Sequence, residues 1–264
     1  SAVYSASDVR PFVLSFSGNF DMRKSQLISF IMAATLVMAT PASAQNLESP
    51  AFTAFSQGDY TSALRLTQDG VSNGEADAFW LLGLMFASGT GVPRDNSLAI
   101  ESLSAGVDAG ATYGLTLMGN IYQEGDGVDQ DIAQAAQFYK RGADEGSADA
   151  QWLLGELYLN SEVVGISPTK AAASFSKAAL QEHPEALYSL ATLYQSGLGV
   201  EKNSAGAADL FTLAALAGNA TAALRLAEMH GNGDGIPANE EEAAFYTVIA
   251  AELGNVDAMP KAKA

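Results

Sequence analysis

Ser167-Pro-Thr-Lys170 and Ser174-Phe-Ser-Lys177 each place a hydroxyl three residues ahead of an amine. That spacing is the one with which Ser-x-x-Lys enzymes, the penicillin-binding proteins among them, set a nucleophile beside its base. Neither string has the Lys-Thr-Gly or Ser-Asp-Asn companion that such a site uses, and Ser167 also falls at a position suited to capping a helix. His183 and His230 are the only histidines, with no acidic ligand set at metal spacing around them. They read as structural residues, one before a proline and one in an aromatic position. The strings Asp126-Gly-Val-Asp129-Gln-Asp131 and Asn232-Gly-Asp234-Gly235 are rich in oxygen ligands but lack the alternate carboxylates and twelfth-position Glu of an EF-hand. Gly125-Asp-Gly127 and Gly233-Asp-Gly235 follow helical patterns and recur, whereas a phosphate cradle needs strand, loop and helix once. With no cysteine in the chain, disulfides, thiolate chemistry and cysteine zinc sites are excluded. The residues therefore name no catalytic group, no metal ligand and no cofactor.

The elements that hold these residues explain most of them. Ala99, Ala135, Ala171, Ala207 and Ala243 stand 36 residues apart with no insertion. Gly83, Gly119 and Gly155, then Ala191 and Ala227, keep the same interval, as do Phe86, Tyr122, Tyr158 and Tyr194. A fixed period of this length marks a solenoid, in which each unit buries its apolar face only against its neighbours. Within a unit, Leu153, Leu154, Leu157 and Tyr158 have helical spacing and predict a helix A over 148–160. A glycine-rich loop and then a helix B follow. Helix B opens after Asp95, Asp131, Ser167, Asn203 and Asn239, all good N-caps, and closes at Gly74, Gly110, Gly146, Gly218 and Gly254, with Glu182 the exception. The expected organisation is a short first unit 51–74, full units 75–110, 111–146, 147–182, 183–218 and 219–254, and a partial cap 255–264 in which Asn255 to Met259 starts one more helix A. In the first unit the pattern predicts helix A near 51–57 and helix B over 60–72.

The chain of 264 residues is 48% hydrophobic and 16% charged, enough apolar material for a sizeable core. Its formal net charge of −17 repels nucleic acid and anionic membrane surfaces at long range and leaves a neutral or basic protein or peptide as the easier partner. From Met22 the chain reads Met-Arg-Lys, an apolar run from Leu27 to Ala39, then Ala42-Ser43-Ala44 before Gln45. This is the pattern of a secretory signal peptide over 22–44, cleaved after Ala44. Its run is shorter than the roughly 20 residues of a spanning helix, so stable membrane insertion after cleavage is not expected, and 45–50 would be a linker. Residues 1–21 have no repeat pattern and read as an upstream or non-native segment, or as a long n-region of the same signal. The expected location is the periplasm or the exterior.

Met118-Gly119-x-x-Tyr122 with Gly125-Asp126-Gly127-Val128, and Leu190-Ala191-x-x-Tyr194 with Gly197-Leu198-Gly199-Val200, followed by small and aromatic residues and a closing glycine, resemble the Sel-one-like repeat (SLR) family across about Ala51 to Met259. The resemblance implies an all-α, right-handed superhelical solenoid of antiparallel helix pairs, related to tetratricopeptide repeats, that acts as a scaffold for protein contacts. Two departures stand out: Ser161 and Val163 replace loop glycines in the third unit, and His230 replaces the helix A aromatic in the fifth. In the family helix A lines the concave surface, which implies partner contacts around Trp80, Asn120, Trp152 and Tyr188. Trp80, Thr116, Trp152, Tyr188 and Leu224 form one row whose mixed polarity predicts half-exposure. The leading expectation is a non-catalytic periplasmic or secreted adaptor, in one form a regulator of an envelope protein. An envelope hydrolase or penicillin-interacting enzyme, and a self-associating structural protein, are the alternatives.

Overall fold

Repeated helix starts and stops dictate the architecture. The computed structural model describes residues 49–125 and 127–259, so the expected signal peptide, the segment before it and most of the linker lie outside the described residues. Twelve α-helices and no strand occur among those residues: α1 (Pro50–Ser56), α2 (Tyr60–Ser72), α3 (Ala76–Ser88), α4 (Asn96–Asp108), α5 (Gly114–Glu124), α6 (Ile132–Asp144), α7 (Ala148–Asn160), α8 (Pro168–Ala179), α9 (Pro184–Ser196), α10 (Ser204–Leu216), α11 (Ala220–Asn232) and α12 (Glu240–Glu252). None of them is long and apolar enough to cross a membrane. Odd-numbered helices are the helices A and even-numbered ones the helices B. The described residues form two compact units, one of 49–157 with 161–165, the other of 158–160 with 166–259. In the first, α1 packs on α2, α3 on α4 and α5 on α6; in the second, α9 packs on α10 and α11 on α12.

All five expected cap residues of the full units work as caps. Asp95 Oδ1 accepts from Leu98 N at 3.0 Å, Asp131 Oδ1 from Gln134 N at 2.9 Å, and Asn203 Oδ1 from Gly206 N at 2.9 Å. Ser167 Oγ accepts from Lys170 N at 3.4 Å, and Asn239 Oδ1 accepts from both Glu241 N and Glu242 N. Each satisfies an amide that the first helical turn leaves without an intrahelical partner. The cap's own amide then closes the loop onto the helix A aromatic position: Asp95 N donates to Phe86 O, Asp131 N to Tyr122 O, Asn203 N to Tyr194 O and Asn239 N to His230 O, at 2.8 to 3.0 Å. The divergent loop 161–167 keeps this closure, Ser167 N to Tyr158 O at 2.7 Å. It leaves α7 by extended backbone at Ser161, not by a left-handed glycine, and leaves Val163 and Ile166 exposed. Glu182, where the closing glycine is missing, is the non-glycine residue that adopts positive φ among the described residues, at 60°.

Small residues on helix A meet large ones on helix B. Ala99, Ala135, Ala171 and Ala207 are fully buried, and so are Leu103, Tyr139, Phe175 and Phe211 one turn along. A Cβ on Gly119 would overlap the Tyr139 ring, and one on Gly83 would stand 2.6 Å from Leu103 Cγ, so these glycines set how closely the helices approach. One expectation fails at the far end. Asn255 to Met259 does not begin a helix but a set of turns, with Asn255 Oδ1 accepting from Asp257 N and Ala258 N. Pro260 has no N–H to give Val256 O, so the second helical bond of such a segment is missing. The first helix also starts one residue earlier than expected, because Ser49 Oγ caps it by accepting from Phe52 N at 3.1 Å.

Candidate functional site

The residues expected to meet a partner all stand on helices A: Trp80 on α3, Asn120 on α5, Trp152 on α7 and Tyr188 on α9. Trp80, Thr116, Trp152, Tyr188 and Leu224 are all half-buried, as the mixed row predicts. Trp80 of α3 stacks on Phe52 of α1, with centroids 5.9 Å apart, and meets the edge of Tyr113 at 5.2 Å. Tyr113 in turn donates its hydroxyl to Asp77. Burial first, and then the bonded Asp77 carboxylate, push the Tyr113 phenol well above its usual range, so it remains a donor. Trp152 occupies the same register on α7.

Asn120 is tied to the core. Tyr139 of α6 is fully buried, and its hydroxyl lies 2.7 Å from Asn120 Oδ1 and 3.0 Å from Gln123 Oε1. In the second unit, Tyr188 of α9 packs on Phe211 with centroids 5.6 Å apart. Arg225 of α11 is hydrogen-bonded to Glu228 at 2.9 Å and to Tyr188, and both bonds hold its guanidinium more firmly protonated. The four expected residues therefore divide: Trp80, Asn120 and Trp152 belong to the first unit and Tyr188 to the second.

Ser167, Lys170, His183, His230 and Asp234 all have structural partners. Ser167 Oγ is engaged as a helix cap, while the Lys170 ammonium sits over the Tyr158 ring, 5.3 Å from its centroid. Both side chains of this Ser-x-x-Lys string thus have structural partners. His183 caps α9, its Nδ1 accepting from Ala186 N at 3.2 Å, and His230 stacks on Tyr246 at 5.7 Å with the rings 8° from parallel. Asp234, in one of the glycine loops, accepts from Gln195 Nε2 at 3.0 Å.

The repeating geometry has a counterpart in known proteins. The model of the Sel1 repeat matches residues 76–101, 112–147, 148–183, 184–219 and 220–255. The chain belongs to the Sel1-repeat family. Among solved structures, this Sel1-repeat chain is similar to a protective antigen of uropathogenic Escherichia coli with an SLR fold, at 27% identity and a TM-score of 0.73, covering 92% of this chain and 51% of that one. It thus spans about half the length of that protein. It is also similar to a Sel1 repeat protein from Oxalobacter formigenes, at 26% identity and a TM-score of 0.74 over 80% of this chain and 86% of that one. An immunity protein from Pseudomonas aeruginosa shares the fold at 19% identity and a TM-score of 0.51, over 91% and 89% of the two chains. No protein of curated function matches the sequence. Sel1-repeat proteins generally mediate protein–protein interaction and are typically non-catalytic scaffolds.

One property of the Sel1-repeat face escaped the residue-by-residue reading although the sequence carries it. No lysine or arginine occurs on α1, α3, α5, α7 or α9, and α11 has Arg225, already bonded to Glu228. The helices A instead bear Asp77, Glu124, Asp149, Glu156, Glu185 and Glu228. The other helical cations, Arg65, Lys140, Arg141, Lys170 and Lys177, stand on helices B. Counting charge along the whole chain hides this segregation; sorting it by position within the 36-residue unit reveals it. The Asn120–Tyr139 bond had no such signal, because it joins positions 19 residues apart on different helices.

Proposed function

We propose that this Sel1-repeat protein is a non-catalytic periplasmic or secreted scaffold, exported through the 22–44 segment, which uses its helices A to hold a protein or peptide with a neutral or basic surface. The observation that carries the reading is the combination of half-exposed Trp80, Trp152 and Tyr188 at one register with carboxylates and almost no cations on the same helices. Rigid aromatic side chains that are half-covered supply contact area at little entropic cost, and the surrounding acids steer a basic partner and repel an acidic one. Export rests on the charged, apolar and Ala-x-Ala pattern of the sequence. Absence of catalysis in this chain is part of the same proposal, supported by the structural roles of Ser167, Lys170, His183 and His230.

Affinity capture from an envelope extract, with the intact chain and a Trp152→Ala variant side by side, tests it. The expected result is a partner enriched at low salt, reduced at high salt, and recovered at least fivefold less by the variant, whose thermal midpoint stays within a few degrees of the parent. Loss of folding and of capture together would make Trp152 a core residue, and a partner retained equally at all salt concentrations would remove the basic-surface reading.

A further inference from the structure

We infer that Asn120 is a fixed amide donor, and that the α5 face takes an extended, lysine- or arginine-bearing peptide with a backbone carbonyl oxygen accepting from Asn120 Nδ2. The inference rests on the scaffold reading above and narrows its partner. Its starting point is the Tyr139 hydroxyl, buried in a register that is Leu103, Phe175 and Phe211 in the neighbouring units. A phenol there must find an acceptor, and Asn120 Oδ1 at 2.7 Å supplies it. Burial, reinforced by Glu124, raises the phenol's pKa and keeps its proton in place. That single proton goes to the shorter of two acceptors, Asn120 Oδ1, with Gln123 Oε1 3.0 Å away as the second.

Anchoring Oδ1 to the core decides what Asn120 offers on its other side. The amide nitrogen carries two N–H groups with no partner among the described residues, on a side chain that is half-buried and held from within. A donor fixed before binding loses less entropy when it is used than one on a free rotor. Its complement is a carbonyl oxygen. A helical ligand spends its carbonyls on its own i to i−4 bonds, whereas an extended segment presents them all. A partner carboxylate is the other acceptor to weigh, and the charges disfavour it: Glu124 follows on α5, Asp149 and Glu156 stand on α7, and α1, α3, α5 and α7 have no lysine or arginine. The neighbouring units place Leu84 and Glu156 at the Asn120 register, so the donor occurs once and would fix the register of the bound strand.

The test is fluorescence anisotropy of the intact chain with a labelled decapeptide of alternating lysine and glycine. The decisive variant is Asn120→Asp combined with Glu124→Gln. It keeps the net charge and an acceptor for Tyr139 while removing the outward donor. The expected result is saturable binding by the parent, weakened about three- to tenfold in the double variant, with the helical signal and thermal midpoint unchanged. A second arm replaces each glycine by glycolic acid, which turns the lysine carbonyls into weaker ester acceptors at constant charge; the parent should lose affinity for it and the double variant should lose less. Equal or tighter peptide binding by the double variant overturns the role of Asn120 and leaves the basic-partner reading intact. No saturable binding by the parent overturns both. If the double variant does not fold, Asn120→Leu with Tyr139→Phe, residues native to these registers in neighbouring units, gives the same two outcomes.

Discussion

The α5–α6 pair and the α9–α10 pair are the same object 72 residues apart, and they differ at three positions that depend on one another. Gly119, Asn120 and Tyr139 in the first pair correspond to Ala191, Thr192 and Phe211 in the second. Gln123 and Gln195 are identical in type. Where the buried ring is tyrosine, its hydroxyl donates to Asn120 Oδ1, with Gln123 Oε1 beside it as the longer acceptor. Where it is phenylalanine, Thr192 turns its hydroxyl to its own helix, donating to Tyr188 O at 3.0 Å, and Gln195 is released to bond Asp234. One atom in the core thus changes which groups the helix A face presents. The small-residue position differs too: glycine stands against the Tyr139 ring, while the unit with Phe211 carries a buried alanine, Ala191, at the same register.

The largest difference between the pairs should come from that small-residue position. Gly119→Ala pushes a methyl into the Tyr139 ring, with backbone on either side that cannot move freely, and should destabilise by about 1–3 kcal/mol in urea unfolding. The reverse change in the other pair, Ala191→Gly, opens only a methyl-sized gap and adds backbone freedom, so about 1 kcal/mol is expected. Equal costs would mean that the Gly119–Tyr139 approach relaxes. Next in size is the polar coupling. Asn120→Leu takes from the Tyr139 hydroxyl its shorter partner and should destabilise by about 1–2 kcal/mol, most of it restored by adding Tyr139→Phe. Thr192→Leu, at the same register with its hydroxyl satisfied locally and exposed to water, should stay within about 0.5 kcal/mol of the parent. A double-mutant cycle without coupling between 120 and 139 would break the comparison at its centre.

Helix order, caps and packing rows were legible because each recurs at a fixed interval and each has a local physical cause. An Asp or Asn before an alanine-rich turn caps it wherever the turn is placed, and a small residue every 36 positions can only be a helix contact. Legibility ended where one unit departed from the others. Ser161 and Val163 signalled a different loop, but not that the Ser167–Tyr158 closure would survive it. At the C-terminal end the pattern favoured a helix, and Pro260 stood in the sequence as the reason against it. On the face itself, Trp80 and Asn120 were visible as residue types. Their partners Phe52, Tyr113 and Tyr139 were not, since contacts across helices of irregular polarity leave no periodic trace.

The two regions also differ in the chemistry of their caps, and this gives the finest test. Asp59, Asp95 and Asp131 cap the helices B of the first unit, whereas Ser167, Asn203 and Asn239 cap those of the second. An aspartate cap can take a proton and an asparagine cap cannot. At Asp59, hydrogen bonds from Ser62, side chain and backbone, lower the carboxyl pKa below the ordinary 3.8. Its charged form is therefore favoured by folding, so the contribution is present above pH 3.8 and disappears as the pH falls through the lowered value. Stability measured across pH 2 to 6 should fall less steeply at the acid end for Asp59→Asn than for the parent, with the two curves parallel above pH 5. The group is exposed, and the expected difference is small. Asn203→Asp, installing a carboxylate at the matching place in the second unit, should create an acid-sensitive step where the parent has none at that cap. If both variants follow the parent curve throughout, these caps act through geometry alone, and the charge difference between the two sets of helices B has no bearing on how each unit responds to acid.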